Sequence, residues 1–337
     1  MSLYYRAIPS CDPARSADAV PLAGGWCWFD RVEILSRDGP AESVPAGEIP
    51  PESLERLTAE PSAMGPLSLD RPRLMGILNT TPDSFSDGAR FSAFDDAVAH
   101  ATEMVADGAD LIDIGGESTR PGAAEVPVDE EIARTAPVIA ALSAAGDTLI
   151  SLDTRKAAVA EAGLAAGAGV INDVAGLRFD PRLADVAAAS GKPLILMHSI
   201  ETPDTMQGAA DTAYSDVLLD VFDGLAEAIA TAERAGVARA KIIVDPGIGF
   251  GKTEAQNLAL IARLSLFHSL GCPILLGVSR KGFIGRISGE AQADRRGPGS
   301  AAIGLWALSQ GVQILRVHDI ALHKQAIDLW RAANAAG

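Results

Sequence analysis

LMGILNTTPDSFSDG, residues 74–88, opens as an apolar run and ends as a loop of turn formers and hydrogen-bonding side chains. Leu74, Met75, Ile77 and Leu78 have the continuous apolarity of a strand buried on both faces, and Asn79 stands at its carboxyl end. Thr80, Thr81, Pro82, Asp83, Ser84, Ser86, Asp87 and Gly88 follow, with Phe85 as the one bulky apolar exception. Parallel α/β proteins take their ligands at the carboxyl ends of their strands, so this loop is a site candidate by position alone.

The same plan recurs down the chain. Short apolar segments at 111–114, 148–152, 169–171, 193–197, 241–244, 273–278 and 312–317 alternate with alanine-rich stretches of helical spacing, several of them stopped by glycine. Eight such strand–helix units in about 265 residues predict a (β/α)₈ TIM barrel over residues 71–337. A doubly wound open sheet is the alternative, but it more often has fewer strands and a glycine-rich dinucleotide loop after the first. Residues 1–70 differ, being punctuated by proline and poor in long periodic segments. They are predicted to form an irregular N-terminal extension with one or two short strands at 25–35 and a short helix at 51–59. Trp26 and Trp28 there are expected to bury a satellite core against the barrel.

Composition narrows the function. With 337 residues, 48% of them hydrophobic, the chain can bury a large core. The 28 basic against 44 acidic residues give a net charge of −16, which argues against nucleic-acid or anionic-membrane partners. An anionic small ligand then needs a local basic pocket. No apolar run is long enough to span a bilayer and no secretory signal is evident. Cys11, Cys27 and Cys272 are scattered without a CxxC pair, which points to a reducing cytoplasm.

Closing eight parallel strands brings Asn79, Thr119, Arg120, Asp153, Asn172, Met197, Asp245, Lys281, Arg316 and His318 to one rim. A strand-end Asp is often a helix N-cap, and Asp153 before Thr154-Arg155-Lys156 is open to that reading. The set is harder to explain structurally, because Lys and Arg normally lie on solvated helix faces. Thr119, Arg120, Arg316 and His318 suit an anion with several oxygens, such as phosphate or pyrophosphate. The Asn79 carbonyl can complete an octahedral Mg²⁺ that keeps waters and substrate oxygens. Asp153, Asn172 and Asp245 can accept from a planar heterocycle bearing amino and ring N–H groups, while Lys281 covers its carbonyl side. A flat polar ring attached to a leaving anion fits the set. Two other motifs fail. The stretch 247–253, GIGFGKT, resembles a phosphate loop, but GxxxxGK[ST] needs glycine where Pro246 stands. His318 and His323 lack the spacing and the Glu of HExxH zinc chemistry, and His198 is read as structural.

The segments LMGILNTTPDSFSDG (74–88), DIGGESTRPGA (113–123), SLDTRK (151–156), INDVAGL (171–177), DPGIGFGK (245–252), SRKGFIG (279–285) and RVHD (316–319) resemble, in order, the bacterial dihydropteroate synthases. The resemblance implies a barrel that condenses 6-hydroxymethyl-7,8-dihydropterin pyrophosphate with p-aminobenzoate and releases pyrophosphate, with Mg²⁺, as a sulfonamide-sensitive, helix-mediated homodimer. It implies that Asp153, Asn172, Asp245 and Lys281 hold the pterin, with Met197 and Phe250 packing near it. Asn79 through Mg²⁺, Thr119, Arg120, Arg316 and His318 would bind pyrophosphate; Thr119, Arg120, Pro121 and Ser279 would border p-aminobenzoate. Loops 79–91 and 115–124 would close over the site, with Phe85 as an apolar clasp. A pterin-binding methyltransferase shares the fold, but the 279–281 and 316–318 motifs with the Thr119–Pro121 loop favour the synthase, since methyl transfer has no pyrophosphate to bind. A catalytically silent pterin-binding paralogue is the non-enzymatic alternative. The extension exceeds the family's usual short lead-in, and Thr80 stands where many relatives have an apolar residue.

Overall fold

Strands form where apolar runs are buried on both sides, and helices where glycine or a cap ends a 3.6-residue pattern. The computed structural model describes residues 3–80, 90–118, 124–200 and 214–335. Residues 3–70 carry more β-structure than their sequence predicts. Strands β1 (Tyr4–Ala7), β4 (Arg31–Leu35) and β5 (Glu42–Pro45) make an antiparallel sheet in the order β1-β4-β5, while β2 (Val20–Pro21) pairs with β3 (Trp28–Phe29). Helix α1 (Pro51–Thr58) begins on Pro51, whose missing N–H is no loss in a first turn.

This extension has its own apolar centre, built from Ala7, Leu22, Cys27, Phe29, Val32, Ala46, Ile49 and Leu57. It is also tied to the barrel. Trp26 Nε1 donates to Leu308 O at 2.7 Å, Ser265 Oγ to Ala7 O at 2.8 Å, and Tyr4 OH to Asp223 Oδ2 at 2.9 Å. Trp28 is buried and donates to Asp12 O, so both tryptophans serve packing, as their proximity suggests.

The barrel strands are β6 (Arg73–Asn79), β7 (Leu111–Gly115), β8 (Leu149–Asp153), β9 (Val170–Asp173), β10 (Leu194–Met197), β11 (Ile242–Asp245), β12 (Leu275–Leu276) and β13 (Ile314–Val317). All are parallel, ordered β11-β10-β9-β8-β7-β6-β13-β12, and a parallel bridge from Val244 to Ile274 closes the ring. Around it lie α2 (Arg90–Ala106), α3 (Val128–Ala145), α4 (Ala157–Ala166), α5 (Arg182–Ser190), α6 (Val217–Arg234), α7 (Glu254–Ala262), α8 (Gly282–Ser288), α9 (Gly297–Ser309) and α10 (Ile320–Asn334). The predicted eight-unit barrel is thus found. After α7 the chain continues as 3₁₀ turns over Leu264–Leu270, and the short α8 follows β12 before α9.

Inside the ring, side chains alternate inward and outward along each strand. Met75, Leu111, Leu149, Val170, Ile195, Ile243, Leu275 and Ile314, one from each strand, meet in an apolar layer. Below them Met64 and Leu69 join from the extension, on a turn where Met64 and Leu67 exchange backbone bonds around Gly65. The end of the extension is therefore the floor of the barrel.

Candidate active site

Two residues further along, the inward position changes character on most strands, while β6 keeps an apolar residue, Ile77. Above Leu111 stands Asp113, above Leu149 come Ser151 and then Asp153, and above Val170 stands Asn172. Met197 lies above Ile195, Asp245 above Ile243, Gly277 above Leu275 and Arg316 above Ile314. The barrel register makes these neighbours: Asp153 is level with Gly115 and Asn172, and Met197 with Asp245.

Arg316 organises the centre of the rim. Its Nε donates to Asp113 Oδ2 at 2.6 Å and its Nη2 to Asp153 Oδ2 at 2.9 Å, and Asn172 Nδ2 donates to the same Asp113 oxygen at 3.0 Å. Asp113 is fully buried, and its other oxygen, Oδ1, has no hydrogen-bond partner among the described residues. Asp153 is therefore no helix cap: α4 starts four residues later, and Ala157 N–H is taken by Asp180 Oδ2. Burial pushes the Asp153 carboxyl above its ordinary range; Arg316 opposes this and the Asp113 charge adds to it. Asp245 is raised for the same reason, burial, with Lys281 and the Gly247 N–H pulling against it.

Lys281 follows β12, which lies in the closed ring between the strands of Arg316 and Asp245, and it is pushed down to about 8 by burial, with Asp245 resisting. Its ammonium lies 4.5 Å from the Phe250 ring centroid and donates to Ile248 O. Arg280, between Ser279 and Lys281, takes the left-handed conformation at φ 60°, a strained one for a side-chain-bearing residue. The surroundings hold it there: Arg280 pairs with Asp319, its N–H donates to Ser300 Oγ at 2.9 Å, and its carbonyl accepts from Arg296 at 3.1 Å. This bend lets Lys281 reach Phe250 while Ser279 Oγ meets His318 Nδ1 at 3.0 Å.

Two buried supports complete the site. Glu117 pairs with Arg155 at 3.1 Å and Lys156 at 3.3 Å, and Lys156 pairs with Glu131 at 2.7 Å, so the strand-end loop of β7 is anchored to that of β8. Thr154 Oγ1 also donates to Glu131. Lys252, from the stretch that resembles a phosphate loop, points inward instead and donates to Gly247 O, Phe250 O and His198 O. Gly247 is required there, because a Cβ at φ +67° would lie 1.9 Å from His198 O. Thr253 caps α7 in a capping box with Gln256. His198 is buried and held well below its usual range by desolvation, in keeping with a structural role.

Of the residues read from the sequence, Asp153, Asn172, Met197, Asp245, Phe250, Lys281, Ser279, Arg316 and His318 lie at this rim, and Asn79 ends β6 on its exposed edge. Thr119, Arg120 and Pro121, and the 81–88 loop with Phe85, lie outside the described residues. Asp113 was missed. The signal was present, since a carboxylate flanked by Leu111, Ile112 and Ile114 in a strand buried on both faces needs a partner.

Residues 75–318 match the family described as pterin binding enzyme. The dihydropteroate synthase of Escherichia coli is 44% identical over 269 residues, spanning 80% of this chain and 93% of that protein. A probable bifunctional folylpolyglutamate synthase/dihydropteroate synthase of Haloferax volcanii is 49% identical over 265 residues, 79% of this chain but 31% of that longer protein. The solved Xanthomonas albilineans dihydropteroate synthase with 4-aminobenzoic acid is 46% identical, with a TM-score of 0.75 over 80% of this chain and 96% of that one. An apolar-floored barrel with interacting carboxylates and cations around its mouth defines the class: a (β/α)₈ enzyme whose site takes a polar small molecule. More narrowly, the chain belongs to the pterin binding enzymes and, among them, to the dihydropteroate synthases, transferases of folate biosynthesis.

Proposed function

We propose that the rim condenses 6-hydroxymethyl-7,8-dihydropterin pyrophosphate with p-aminobenzoate, and that its residues divide among three subsites. The observation that carries this division is the arrangement of charge around the mouth, with Asp113 and Asp153 bonded to Arg316, Asn172 bonded to Asp113, and Asp245 beside Lys281. The carboxylates and Asn172 accept from the amino and ring N–H groups of the pterin, Lys281 donates to its carbonyl, and Met197 and Phe250 pack on its faces. Arg316 and His318 take the pyrophosphate, and Ser279 borders the p-aminobenzoate. Thr119, Arg120 and Pro121 keep their reading as pyrophosphate and p-aminobenzoate contacts through their place in the family motif.

The chemistry follows from this placement. The electron-rich pterin delocalises the cation left when pyrophosphate departs, Asp153 stabilises that charge, and Arg316 and His318 stabilise the leaving anion. The arylamine then adds to a strong electrophile, so positioning does most of the work and no strong base is needed. Among the described residues no group of three or more His, Cys, Asp or Glu side chains converges as a metal cage. The lone Asn79 oxygen at the rim fits instead a Mg²⁺ that draws its other ligands from pyrophosphate and water. When bound, that ion would neutralise charge on the leaving group.

A cytoplasmic homodimer is part of the same reading. No helix is long and apolar enough to cross a membrane among the described residues, and the three cysteines are free thiols. Exposed Leu258 on α7 and Trp306 on α9 lie on adjacent helices, joined where Trp306 Nε1 donates to Ile261 O at 2.9 Å; they support pairing through helices. The test of function is direct. Supplied with the dihydropterin pyrophosphate, p-aminobenzoate and Mg²⁺, the protein is expected to release pyrophosphate and form 7,8-dihydropteroate in equal amounts. Well-folded protein that yields neither would overturn the proposal.

A further inference from the structure

The extension brings two cysteines together that the sequence keeps apart. Ser10 and Trp28 exchange both backbone hydrogen bonds, Ser10 N–H to Trp28 O at 2.7 Å and Trp28 N–H to Ser10 O at 2.9 Å. They are a hydrogen-bonded antiparallel pair, so Cys11 and Cys27, one step further along, face each other as the non-hydrogen-bonded pair. Such pairs have Cα atoms about 4.5 Å apart and their side chains on the same face, within the range a disulfide spans. The two Sγ atoms lie 3.0 Å apart. Both are free thiols, Cys27 buried and Cys11 half-exposed, whereas Cys272 is buried elsewhere, near Leu270.

We propose that Cys11 and Cys27 are a redox-active dithiol that low-molecular-weight disulfides such as oxidised glutathione convert to an intramolecular disulfide, covalently stapling the 12–26 segment of the extension. Cys11 is the entry point. It is the more accessible thiol, and its hydrogen bond with Cys27 lowers its pKa while the same contact, and then burial, raise that of Cys27. The Cys11 thiolate attacks one sulfur of the glutathione disulfide, forming a mixed disulfide and expelling one glutathione thiolate. Cys27 then gives up its proton and attacks Cys11 Sγ, forming the Cys11–Cys27 bond and expelling the second. Two electrons pass from the protein to the oxidant, and two glutathione thiols result.

The surroundings tolerate the change. The Cys27 thiol donates to Leu308 O at 3.3 Å, and oxidation removes that donor. Leu308 O is not orphaned, because Trp26 Nε1 at 2.7 Å and Gly311 N–H at 3.0 Å still donate to it. The hydrogen bonds of Trp26 and Cys27 to α9 fall at its carboxyl end, on Leu308 and Ser309.

The experiment treats the full-length protein with oxidised glutathione, titrates thiols under denaturing conditions and maps peptides by mass spectrometry. Of the three cysteines, two should become unreactive, a Cys11–Cys27 linked peptide should appear, and Cys272 should stay free. The oxidised form should melt several degrees higher than the reduced one, and Cys11→Ser should show neither the link nor the rise. Three reactive thiols after treatment, a glutathione adduct that persists on Cys11, or a bond between two chains would each overturn the proposal.

Discussion

The floor and the rim of this barrel are built by the same strands from positions two or four residues apart, yet they are opposite environments. At the floor, Leu111, Leu149, Val170, Ile243 and Ile314 meet only apolar neighbours. At the rim, Asp113, Asn172, Asp245 and Arg316 stand two residues above them and Asp153 four, and Arg316 bonds to Asp113 and Asp153 while Asn172 bonds to Asp113. A strand that places its side chains alternately cannot mix these roles at one level, so eight strands in register stack an apolar layer under a charged one. The floor holds the ring closed by area and packing. Charges at the rim are imperfectly matched, because Asp113 Oδ1 has no hydrogen-bond partner among the described residues and several groups sit away from their ordinary pKa values. Such mismatches between buried groups are characteristic of sites that bind and react.

Substitutions at the two levels should both cost stability but differ in what they do to activity. The largest effect is expected from Arg316→Met, which removes the cation shared by Asp113 and Asp153. Steady-state assays should show turnover reduced by about 10³-fold. Denaturant unfolding should show a loss of about 3–5 kcal/mol at neutral pH, because two buried carboxylates are left without their partner. The sign with pH is set by the raised Asp153: a carboxyl whose folded pKa exceeds its unfolded value is stabilising when protonated, so the penalty should shrink as pH falls. A penalty that grows toward acid pH would contradict the assignment. Next in size is Leu111→Ala, two residues below Asp113, which should cost about 2–5 kcal/mol through the cavity it leaves. Its kcat/KM, measured well below its melting temperature, should stay within a few-fold of wild type. A loss of activity comparable with that of Arg316→Met would mean that the levels are not independent.

Much of this was legible in the sequence. The barrel could be read because each strand is a short apolar run ending in a polar residue, and the rim because Asp153, Asn172, Asp245, Lys281 and Arg316 occupy equivalent places in successive units. What stayed hidden depends on register or on distant contacts. Asp113 lies inside an apolar run, and only the closed ring brings Arg316 and Asn172 to it. The αL bend at Arg280 rests on Asp319, Ser300 and Arg296, none of which is local. The extension hides more, because β1 pairs with β4 across a long loop, and the Met64–Leu67 turn looks like linker until the barrel floor is seen above it.

The claim that the charged rim is the ligand site is tested most directly by titrating the dihydropterin substrate calorimetrically into wild-type protein and Lys281→Ala at pH 7 and pH 9. Lys281 loses its proton near pH 8, and the ammonium is the form that donates most strongly to the pterin carbonyl. Wild-type affinity should therefore fall as pH rises through that value, approaching roughly tenfold per unit above it. Lys281→Ala should bind roughly tenfold to a hundredfold more weakly at pH 7 and lose most of this pH dependence, with an unchanged circular dichroism spectrum. An Ala variant that binds the pterin as tightly as wild type, with the same pH dependence, would remove Lys281 from the site and contradict the account.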